Sequence, residues 1–354
     1  MSKTFGRRFE DIVAGRTTTD VMAAIWNTAP FLNSIFNIDL KQYYTNAQTK
    51  LKVQLDFQRL FPDFICFPGI WADYGALCEP SAFGCPITWP NGSAPMALPA
   101  VSSLSEAVAL RPPNPKKDGF MPIAISEYQY FHENADPDVI DEYGYLNGVA
   151  ASFGPVELAA VIMGHENFFV SLASQPAKVH ELLKVMTASV IIWLKAQGDV
   201  NGPLKRFSLA DHLPGQISPA MFDEFWAPYT KEVLDQFPEA MALYHNEYPI
   251  GYVHKLGELG FDIFNFGGPL TPVKQALGNS MTLMGNIDPI AVLLDDEPEA
   301  VKSAVMECLK KGATGGRFLL SAAGGLAPHT PIGNLKAMAE ALRTYLGSEN
   351  RKAG

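Results

Sequence analysis

The sequence predicts a (β/α)8 barrel, and three observations support this class. From about residue 120 onward, short apolar runs alternate with amphipathic helical stretches, most of these runs lack polar/apolar alternation, and the helices between them carry clear start signals. Strands that are buried on both faces have this continuous apolar character, and parallel sheets covered by helices contain such strands. A chain of 354 residues is long enough for one barrel with insertions.

Eight apolar runs are the candidate strands of this barrel. They span residues 63–67, 122–126, 147–153, 206–210, 241–247, 262–267, 282–286 and 317–322. Helix starts follow several of them: Ser218 and Pro219 are typical of an N-cap and a first helical turn. Three acidic residues at 295–297 precede a helical stretch that ends in two lysines and Gly312, as the helix dipole favours. We therefore predict that each strand is followed by a helix.

The predicted barrel is a single domain over residues 1–350. Residues 1–60 are predicted to form an N-terminal helical cap. The segment 89–119 is rich in proline, serine and glycine, and we predict a loop-rich excursion over the barrel mouth there rather than a linker between domains. No internal repeat is evident.

Composition and charge narrow the class of protein. The net charge of −10 argues against nucleic acid or an anionic membrane as a partner. The N-terminus has charges throughout and no apolar signal region, and no apolar run approaches the ~20 residues that span a bilayer. The four cysteines show no metal-binding spacing and are expected to be free thiols. We expect a soluble cytoplasmic protein.

Chemistry in this fold is located at the C-terminal ends of the strands. The polar residues at predicted strand ends are Asp211, His212, His245, Glu247, Asn265, Asn286, Asp288 and Ser321. His245 and Glu247 are two residues apart on one strand, so their side chains point to the same side. Imidazole nitrogen and carboxylate oxygen both bind zinc at about 2.0–2.2 Å. Such a pair can also be a hydrogen-bonded pair without a metal, and the spacing alone leaves both interpretations open.

The C-terminal third, at residues 283–294 and 316–342, resembles the uroporphyrinogen decarboxylase superfamily, and residues 148–176 and 217–233 resemble it less specifically. The resemblance implies a (β/α)8 barrel. Decarboxylases of this superfamily grip the substrate carboxylates through an arginine-containing motif near the N-terminus. Here the matching residues 23–40 contain no arginine, and Lys41 is the first basic residue after them. Because an octa-acid substrate requires several cations, decarboxylation is the less favoured alternative.

The other branch of the superfamily is the cobalamin-dependent methyltransferases. Its thiol-methylating members hold zinc through a His-x-Cys motif and a later cysteine, whereas this chain has Glu247 two residues after His245 and no cysteine in residues 321–325. Oxygen ligands in place of thiolates make the metal a harder Lewis acid, which favours a substrate that binds through an oxygen atom. The chain thus resembles the methyltransferase component of O-demethylases. This implies transfer of a methyl group from a methoxylated aromatic compound to a corrinoid carried by a corrinoid-binding protein, with zinc as Lewis acid.

The resemblance further implies a zinc set of two glutamates and a histidine with the spacing E-x14-E-x20-H. Glu224 and His245 fit the second spacing, but Leu209 stands where the first glutamate is expected, and Asp211 is the nearest carboxylate at a strand end. We predict His245, Glu247 and Glu224 as metal ligands, and His245, Glu247 and Asp211 as catalytic groups. The alternatives are a solvated helix carboxylate for Glu224 and a helix-capping role for Asp211.

Four further residues are predicted to shape the substrate pocket or to contact the corrin: Asp73, Tyr74, Glu79 and Asn265. A purely structural role is an equal alternative for the first three. Three competing functions stay open at this stage. They are methyl transfer to a thiol of the coenzyme M type, a decarboxylase-like reaction, and a catalytically silent barrel that acts as a binding protein.

Overall fold

The structure, a computed structural model, describes residues 4–90, 93–247 and 251–353, with side chains to residue 349. Residues 1–3 of the predicted cap, 91–92 of the predicted excursion and 248–250 after Glu247 lie outside the described residues. The centre of the molecule is a sheet of eight parallel strands, which confirms the predicted barrel class. The strands are β1 (Met22–Trp26), β2 (Phe64–Phe67), β3 (Val149–Phe153), β4 (Arg206–Ala210), β5 (Met241–Asn246), β6 (Ile263–Phe266), β7 (Thr282–Ile287) and β8 (Phe318–Ala322).

Helices connect consecutive strands and pack around the sheet. The α-helices are Phe5–Val13, Phe31–Phe36, Leu40–Thr45, Ala47–Leu60, Cys78–Ala82, Leu104–Ala107, Met121–Asn134, Pro137–Tyr143, Pro155–Met163, His165–Ser174, Pro176–Asn201, Pro219–Met221, Ala227–Asp235, Val253–Leu256, Leu270–Leu277, Pro298–Gly312 and Ile332–Ala353, with a 3₁₀ turn at Leu213–Gln216 and a π turn at Phe222–Trp226. A short antiparallel ribbon of Ile87–Thr88 and Met96–Ala97 lies at the start of the predicted excursion. The Ser218 side chain caps its helix as predicted, because it accepts a hydrogen bond from the Met221 N–H.

Two of the predictions about elements are wrong. The predicted cap contains β1, which pairs with β2 on one side and β8 on the other, so Met22–Trp26 belongs to the sheet. Residues 122–126, predicted as a strand, lie in the helix Met121–Asn134. That helix buries Met121, Ala124, Tyr128 and Phe131, a helical spacing that the five-residue apolar window was too short to reveal.

The sheet runs in the order β2-β1-β8-β7-β6-β5-β4-β3, and among the described residues no backbone ladder joins β2 to β3. Side chains cover both of these free edges. On β3, Gln197 accepts the Ala151 N–H at 3.1 Å and donates to the Ala151 carbonyl at 2.9 Å, and Asn201 donates to the Val149 carbonyl at 2.9 Å. On β2, the Cys66 N–H donates to the Tyr145 hydroxyl at 2.7 Å. The seam is thus closed by side chains instead of by a β-ladder.

The cysteines Cys66, Cys78, Cys85 and Cys308 are free and buried, as predicted. In the described part of the chain, no single helix combines the length and the apolar composition needed to cross a membrane. Only Pro155–Met163 and His165–Ser174 taken together reach that composition, and the two helices are bent by 112° at their junction.

Candidate functional site

Three side chains from two adjacent strand ends meet at the C-terminal edge of the sheet. His245 lies on β5, Glu247 follows the last residue of that strand, and His212 follows β4. The register of the two strands pairs Ala210 with His245, so the residues beyond both strand ends are neighbours. Because side chains two residues apart on a strand share one side, His245 and Glu247 reach the same space.

The distances in this cluster suit a single divalent cation. His245 Nε2 is 3.0 Å from Glu247 Oε1, and His212 Nε2 is 3.3 Å from Glu247 Oε2. One nitrogen or oxygen atom from each of the three side chains lies within 4.8 Å of the others. Donor atoms that bind one tetrahedral zinc ion at about 2.0–2.2 Å lie about 3.3–3.6 Å from each other. The side chains of His212 and Glu247 are 38% and 32% exposed, so the cluster is open to a ligand.

Asn265 on β6 fixes the protonation of the His245 ring. The Asn265 amide Nδ2 donates to the carbonyl oxygens of Met284 at 2.9 Å and Ala322 at 3.1 Å, which can only accept. The Asn265 Oδ1 is therefore the acceptor for both Trp26 Nε1–H at 2.8 Å and His245 Nδ1 at 2.7 Å. Since Nδ1 must donate to this oxygen, the neutral His245 ring presents the lone pair of Nε2 to the cluster.

Glu247 is ionised, and its Oε1 faces His245 Nε2. Burial alone would raise the pKa of Glu247, but its hydrogen bond to His245 and the positive charges that His245 and His212 carry when protonated hold the pKa at about 2. Because the lone pairs of a carboxylate oxygen and a ring nitrogen repel each other at this distance, a proton or a metal ion must lie between the two atoms. The pair can therefore form an ion pair with protonated His245, or bind a cation through the neutral ring.

Gly324 leaves space next to the cluster. A Cβ atom on this residue would lie 3.0 Å from Glu247 Oε1 and 3.1 Å from His245 Cε1, and the backbone φ of +112° is one that side chains rarely adopt. Gly324 belongs to the segment 321–325, which contains no cysteine. The strand end of β8 therefore approaches the cluster through bare backbone and contributes no ligand atom.

Glu157, on the helix Pro155–Met163, holds the His212 backbone. Its Oε2 accepts the N–H groups of His212 at 2.9 Å and Leu213 at 3.3 Å. Burial alone would raise the pKa of Glu157, but His165 and His212 lower it below its ordinary value. An ionised, buried carboxylate thus fixes the segment that carries His212.

Asp211, predicted as a catalytic group, lies behind the cluster and is fully buried. Its Oδ2 accepts the Trp226 indole N–H at 2.9 Å, and a Cβ on Gly154 would come within 2.3 Å of the same oxygen. Burial, with the nearby Glu157 charge, raises the pKa of Asp211 well above its ordinary range. Asp211 is not among the residues that line the cavity described below, and its contacts connect β4 to neighbouring helices.

A cavity of about 320 Å³ opens beside His212 and His245. This volume is within the range typical of sites for small ligands. Its wall contains the aromatic residues Trp26, Trp71, Tyr74, Tyr128, Phe153 and Trp193. Among the described residues, no lysine or arginine lines it. The cavity therefore suits a neutral, flat, largely apolar ligand.

The predicted pocket residues fall into two groups. Tyr74 and Glu79 line the cavity. Asp73 does not; its buried carboxylate accepts the N–H groups of Ala29 at 3.0 Å and Gly75 at 2.8 Å, and burial raises its pKa. Asn265 orients His245, so its role is to position a ligand of the cluster.

Glu224, predicted as a metal ligand, is not brought to the cluster. It lies in the π turn Phe222–Trp226, its side chain is 52% exposed, and its Oε1 is 3.6 Å from His180 Nε2. His212 takes the third position instead. The sequence contained the signal for His212, since it directly follows a barrel strand, but a fixed spacing to His245 selected Glu224.

The fold and the cluster define a (β/α)8 barrel with a candidate metal centre at its mouth. A model of the uroporphyrinogen decarboxylase (URO-D) family matches residues 30–345, and the chain belongs to this family. Uroporphyrinogen decarboxylases of Prochlorococcus marinus strain MIT 9313 and Synechococcus sp. strain CC9605 are similar to it. The first is 27% identical over 87% of this chain and 83% of the relative, and the second 28% identical over 70% and 69%.

A solved structure described as a methyltransferase from Methanosarcina mazei has the same fold. It superposes with a TM-score of 0.82 over 97% of this chain and 99% of the other, with 19% sequence identity. The likeness is close along the whole chain and shows a shared architecture.

Proposed function

We propose that this protein is a corrinoid-protein-dependent methyltransferase that removes the methyl group from a methoxylated aromatic compound. The observation that carries the proposal is the cluster of His212, His245 and Glu247, in which nitrogen and oxygen donors converge beside a cavity with aromatic walls. Membership of an enzyme family and the shared fold with a methyltransferase favour an enzyme of this type.

The donor set fits a resident zinc ion. Two imidazoles and one carboxylate are a common zinc set that leaves a position for substrate. When bound, zinc would act as a Lewis acid on the ether oxygen and stabilise the phenolate that leaves. Three features support this assignment: His245 Nε2 faces the cluster while Nδ1 is held by Asn265, Glu247 is ionised, and Gly324 leaves space beside both.

The chain's own residues hold and orient the substrate. The aromatic and apolar wall of the cavity would stack on the ring and exclude water from it. His212 and His245 are at the border between this wall and the cluster, so a ring held there presents a substituent to the donors. These residues would hold the ring for a Co(I) corrinoid on a separate corrinoid-binding protein, which would supply the nucleophile for the methyl group while the phenolate leaves.

The other functions fit the site less well. A porphyrinogen with many carboxylates requires cations, whereas among the described residues no lysine or arginine lines the cavity. Methyl transfer to a thiol is typical of softer, thiolate-containing zinc sites, and no described cysteine is in the cluster. A silent barrel has no need for a ligand cluster next to an open cavity.

The proposal is tested by metal analysis and by methyl transfer. The purified protein should bind about one zinc ion per chain, and it should form methylcobalamin from reduced cobalamin and at least one methoxyarene. His245→Ala, Glu247→Ala and His212→Ala should each lose most of the metal and at least 100-fold in rate. Wild-type protein that holds no metal, or that never methylates Co(I) in a broad panel of methoxyarenes, would contradict the proposal.

Two glycine variants distinguish a direct effect on the metal cluster from the effect of backbone strain. Gly324→Ala should weaken metal binding and lower activity, because its Cβ would displace Glu247 Oε1 and the His245 ring from their positions. Gly260→Ala is the control: its φ of +106° is similar, but nothing lies within 4 Å of the added Cβ. The control should lose stability and keep its metal.

A further inference from the structure

Within the part of the chain that the structure describes, one carboxyl group lines the cavity away from the metal cluster, that of Glu79. Glu79 lies in the short helix Cys78–Ala82 after β2, is only 4% exposed, and lines the cavity. A glutamate that is buried at this level without a salt bridge is uncommon. The Glu79 carboxyl group thus lies on the cavity wall among aromatic residues, where a ligand can contact it.

The Glu79 carboxyl group is held in a fixed orientation. Its Oε1 accepts the Ser152 hydroxyl at 2.8 Å and the Phe153 N–H at 3.0 Å, both on β3. These two hydrogen bonds end on the same oxygen. The Glu79 backbone N–H is a further donor to the carboxyl group, but a carboxylate oxygen accepts more than one hydrogen bond, so Oε2 can still pair with a ligand in the cavity. Burial raises the pKa of Glu79 above its ordinary value, which adds neutral carboxylic acid to the population and, with it, an O–H donor.

Two other polar side chains on the wall, those of Tyr74 and Gln197, are already paired within the protein, whereas the Trp71 indole N–H has no partner among the described residues. The Tyr74 hydroxyl donates to Glu127 Oε1 at 2.8 Å. The Gln197 amide is bound on both sides to the backbone of Ala151. Lys50, the cation in this region, is fully buried against Glu127 at 2.6 Å and does not line the cavity.

We propose that Glu79 determines the substrate class of this site by hydrogen bonding through Oε2 to a hydroxyl group on the substrate ring, so that methoxyphenols are selected. The inference rests on the proposed function, because it takes the ring substrate from it. A phenol hydroxyl both donates and accepts, and it therefore pairs with either protonation state of the Glu79 carboxyl.

The same geometry disfavours a carboxylated ring. A methoxybenzoate would bring its carboxylate into a cavity in which, among the described residues, no lysine or arginine forms the wall. A carboxylate held at Glu79, away from the metal cluster, would have no cationic side chain on the wall to pair with, and the Glu79 carboxyl adds repulsion when ionised. An unsubstituted methoxybenzene would leave Glu79 without a partner in the ligand.

The first experiment uses the wild-type full chain alone, with calorimetric titration of the three methoxyphenol isomers, methoxybenzene and 4-methoxybenzoate. We expect at least one isomer to bind at least tenfold more tightly than methoxybenzene and more tightly than the benzoate. The measurement requires neither methyl transfer nor a corrinoid, so it can be interpreted if the proposed function fails. Equal binding of methoxyphenol and methoxybenzene, tighter binding of the benzoate, or no binding of any methoxyphenol would overturn the inference.

The second experiment tests whether Glu79 causes the preference for methoxyphenol over methoxybenzene. Glu79→Met should reduce the ratio of methoxyphenol to methoxybenzene affinity to about one. Glu181→Met, an exposed position on the helix Pro176–Asn201, is the control and should keep the wild-type ratio. Thermal melting confirms that each variant is folded, and if Glu79→Met does not fold, the wild-type panel decides. A folded Glu79→Met variant that keeps the wild-type ratio would show that another residue selects the hydroxyl.

Discussion

At the scale of single residues, the hydrogen bonds of Asn265 decide what His245 can bind. Two carbonyl acceptors fix the direction of the amide, and the amide oxygen then requires a proton on Nδ1. In the neutral ring, the opposite nitrogen is left with its lone pair. An orienting partner of this kind is a common feature of metal-binding histidines. Removing the Asn265 side chain should therefore lower the affinity for a metal ion, in addition to the stability that is lost with its hydrogen bonds.

Asn265→Ala should weaken zinc binding by about 10–100-fold, because the His245 ring loses the partner that sets its tautomer and angle. Titration of the metal-free protein with zinc measures this. Asn334→Ala is the control, since the buried Asn334 likewise donates to two carbonyls, those of Leu293 at 3.0 Å and Asp296 at 2.8 Å, away from the cluster. Both variants should lose about 1–3 kcal/mol of stability, but only the first should lose zinc affinity. Equal zinc affinity in the two variants would remove Asn265 from the site.

Local geometry predicted part of this site. The two-residue spacing on a strand predicted that His245 and Glu247 share a side, because the side-chain period of a strand depends on the backbone alone. It could not predict that His212 joins them, since that depends on the register of β4 against β5. Glu224 had the expected distance in sequence, but the π turn that carries it points its carboxylate to His180.

At the scale of elements, one long helix closes the open side of the sheet. Gln197 and Asn201 are four residues apart on the helix Pro176–Asn201, a rise of about 6 Å. They bind Ala151 and Val149, two residues apart on β3, a distance of about 6.6 Å. Because the rise over four helical residues nearly equals the rise over two strand residues, side chains of the helix can pair with the backbone N–H and carbonyl groups at the edge of β3, as a neighbouring strand would.

Replacing Gln197 with methionine should destabilise the protein by about 1–3 kcal/mol, because the half-buried N–H and carbonyl of Ala151 lose both hydrogen bonds. Urea unfolding measures the change. Thr187→Val on the same helix is the control: its buried hydroxyl donates only to the Leu183 carbonyl within the helix, and we expect a loss below about 1 kcal/mol. If both variants unfold at the same urea concentration, the helix does not close the sheet through these bonds.

The predictions of helices and strands were wrong where only about five apolar residues distinguished a helix from a strand. Residues 22–26 form an apolar strand, but the helices Phe5–Val13 and Phe31–Phe36 flank it closely, so the whole segment resembled a helical cap. Residues 122–126 are also apolar, yet Pro122 is in the first turn of a helix whose buried face extends to Phe131. Apolar character shows that a segment is buried. Only the spacing of apolar residues over a longer segment distinguishes a helix from a strand.

At the scale of the whole molecule, the barrel collects ligands that are far apart in the chain. His212 follows β4, whereas His245 and Glu247 lie together at the end of β5, and Gly324 approaches from β8, more than 75 residues later. A cation at this point would therefore link β4 to β5 in the folded protein. The unfolded chain does not preserve this arrangement, so metal binding should stabilise the fold.

Zinc should raise the melting temperature of the metal-free protein, and the rise should shrink as the pH falls. Free zinc at 100 times its Kd contributes about 2.7 kcal/mol, which corresponds to a few degrees in Tm. A coordinated imidazole nitrogen carries no proton, so acid competes with the metal at His212 and His245. Glu247 does not cause the loss between pH 7 and 5, because its pKa is lowered from 4.5 to about 2.

The depressed pKa of Glu247 has its own signature in the metal-free protein. Its contribution to stability is complete above pH 4.5 and is lost as the pH falls toward 2, below the window in which zinc is displaced. Melting curves from pH 7 to pH 3, with and without zinc, separate the two effects. His254→Ala, an exposed histidine outside the cluster, should keep the zinc-dependent rise, and His212→Ala and His245→Ala should lose it. A rise in Tm that survives in both cluster variants would place the metal elsewhere in the protein.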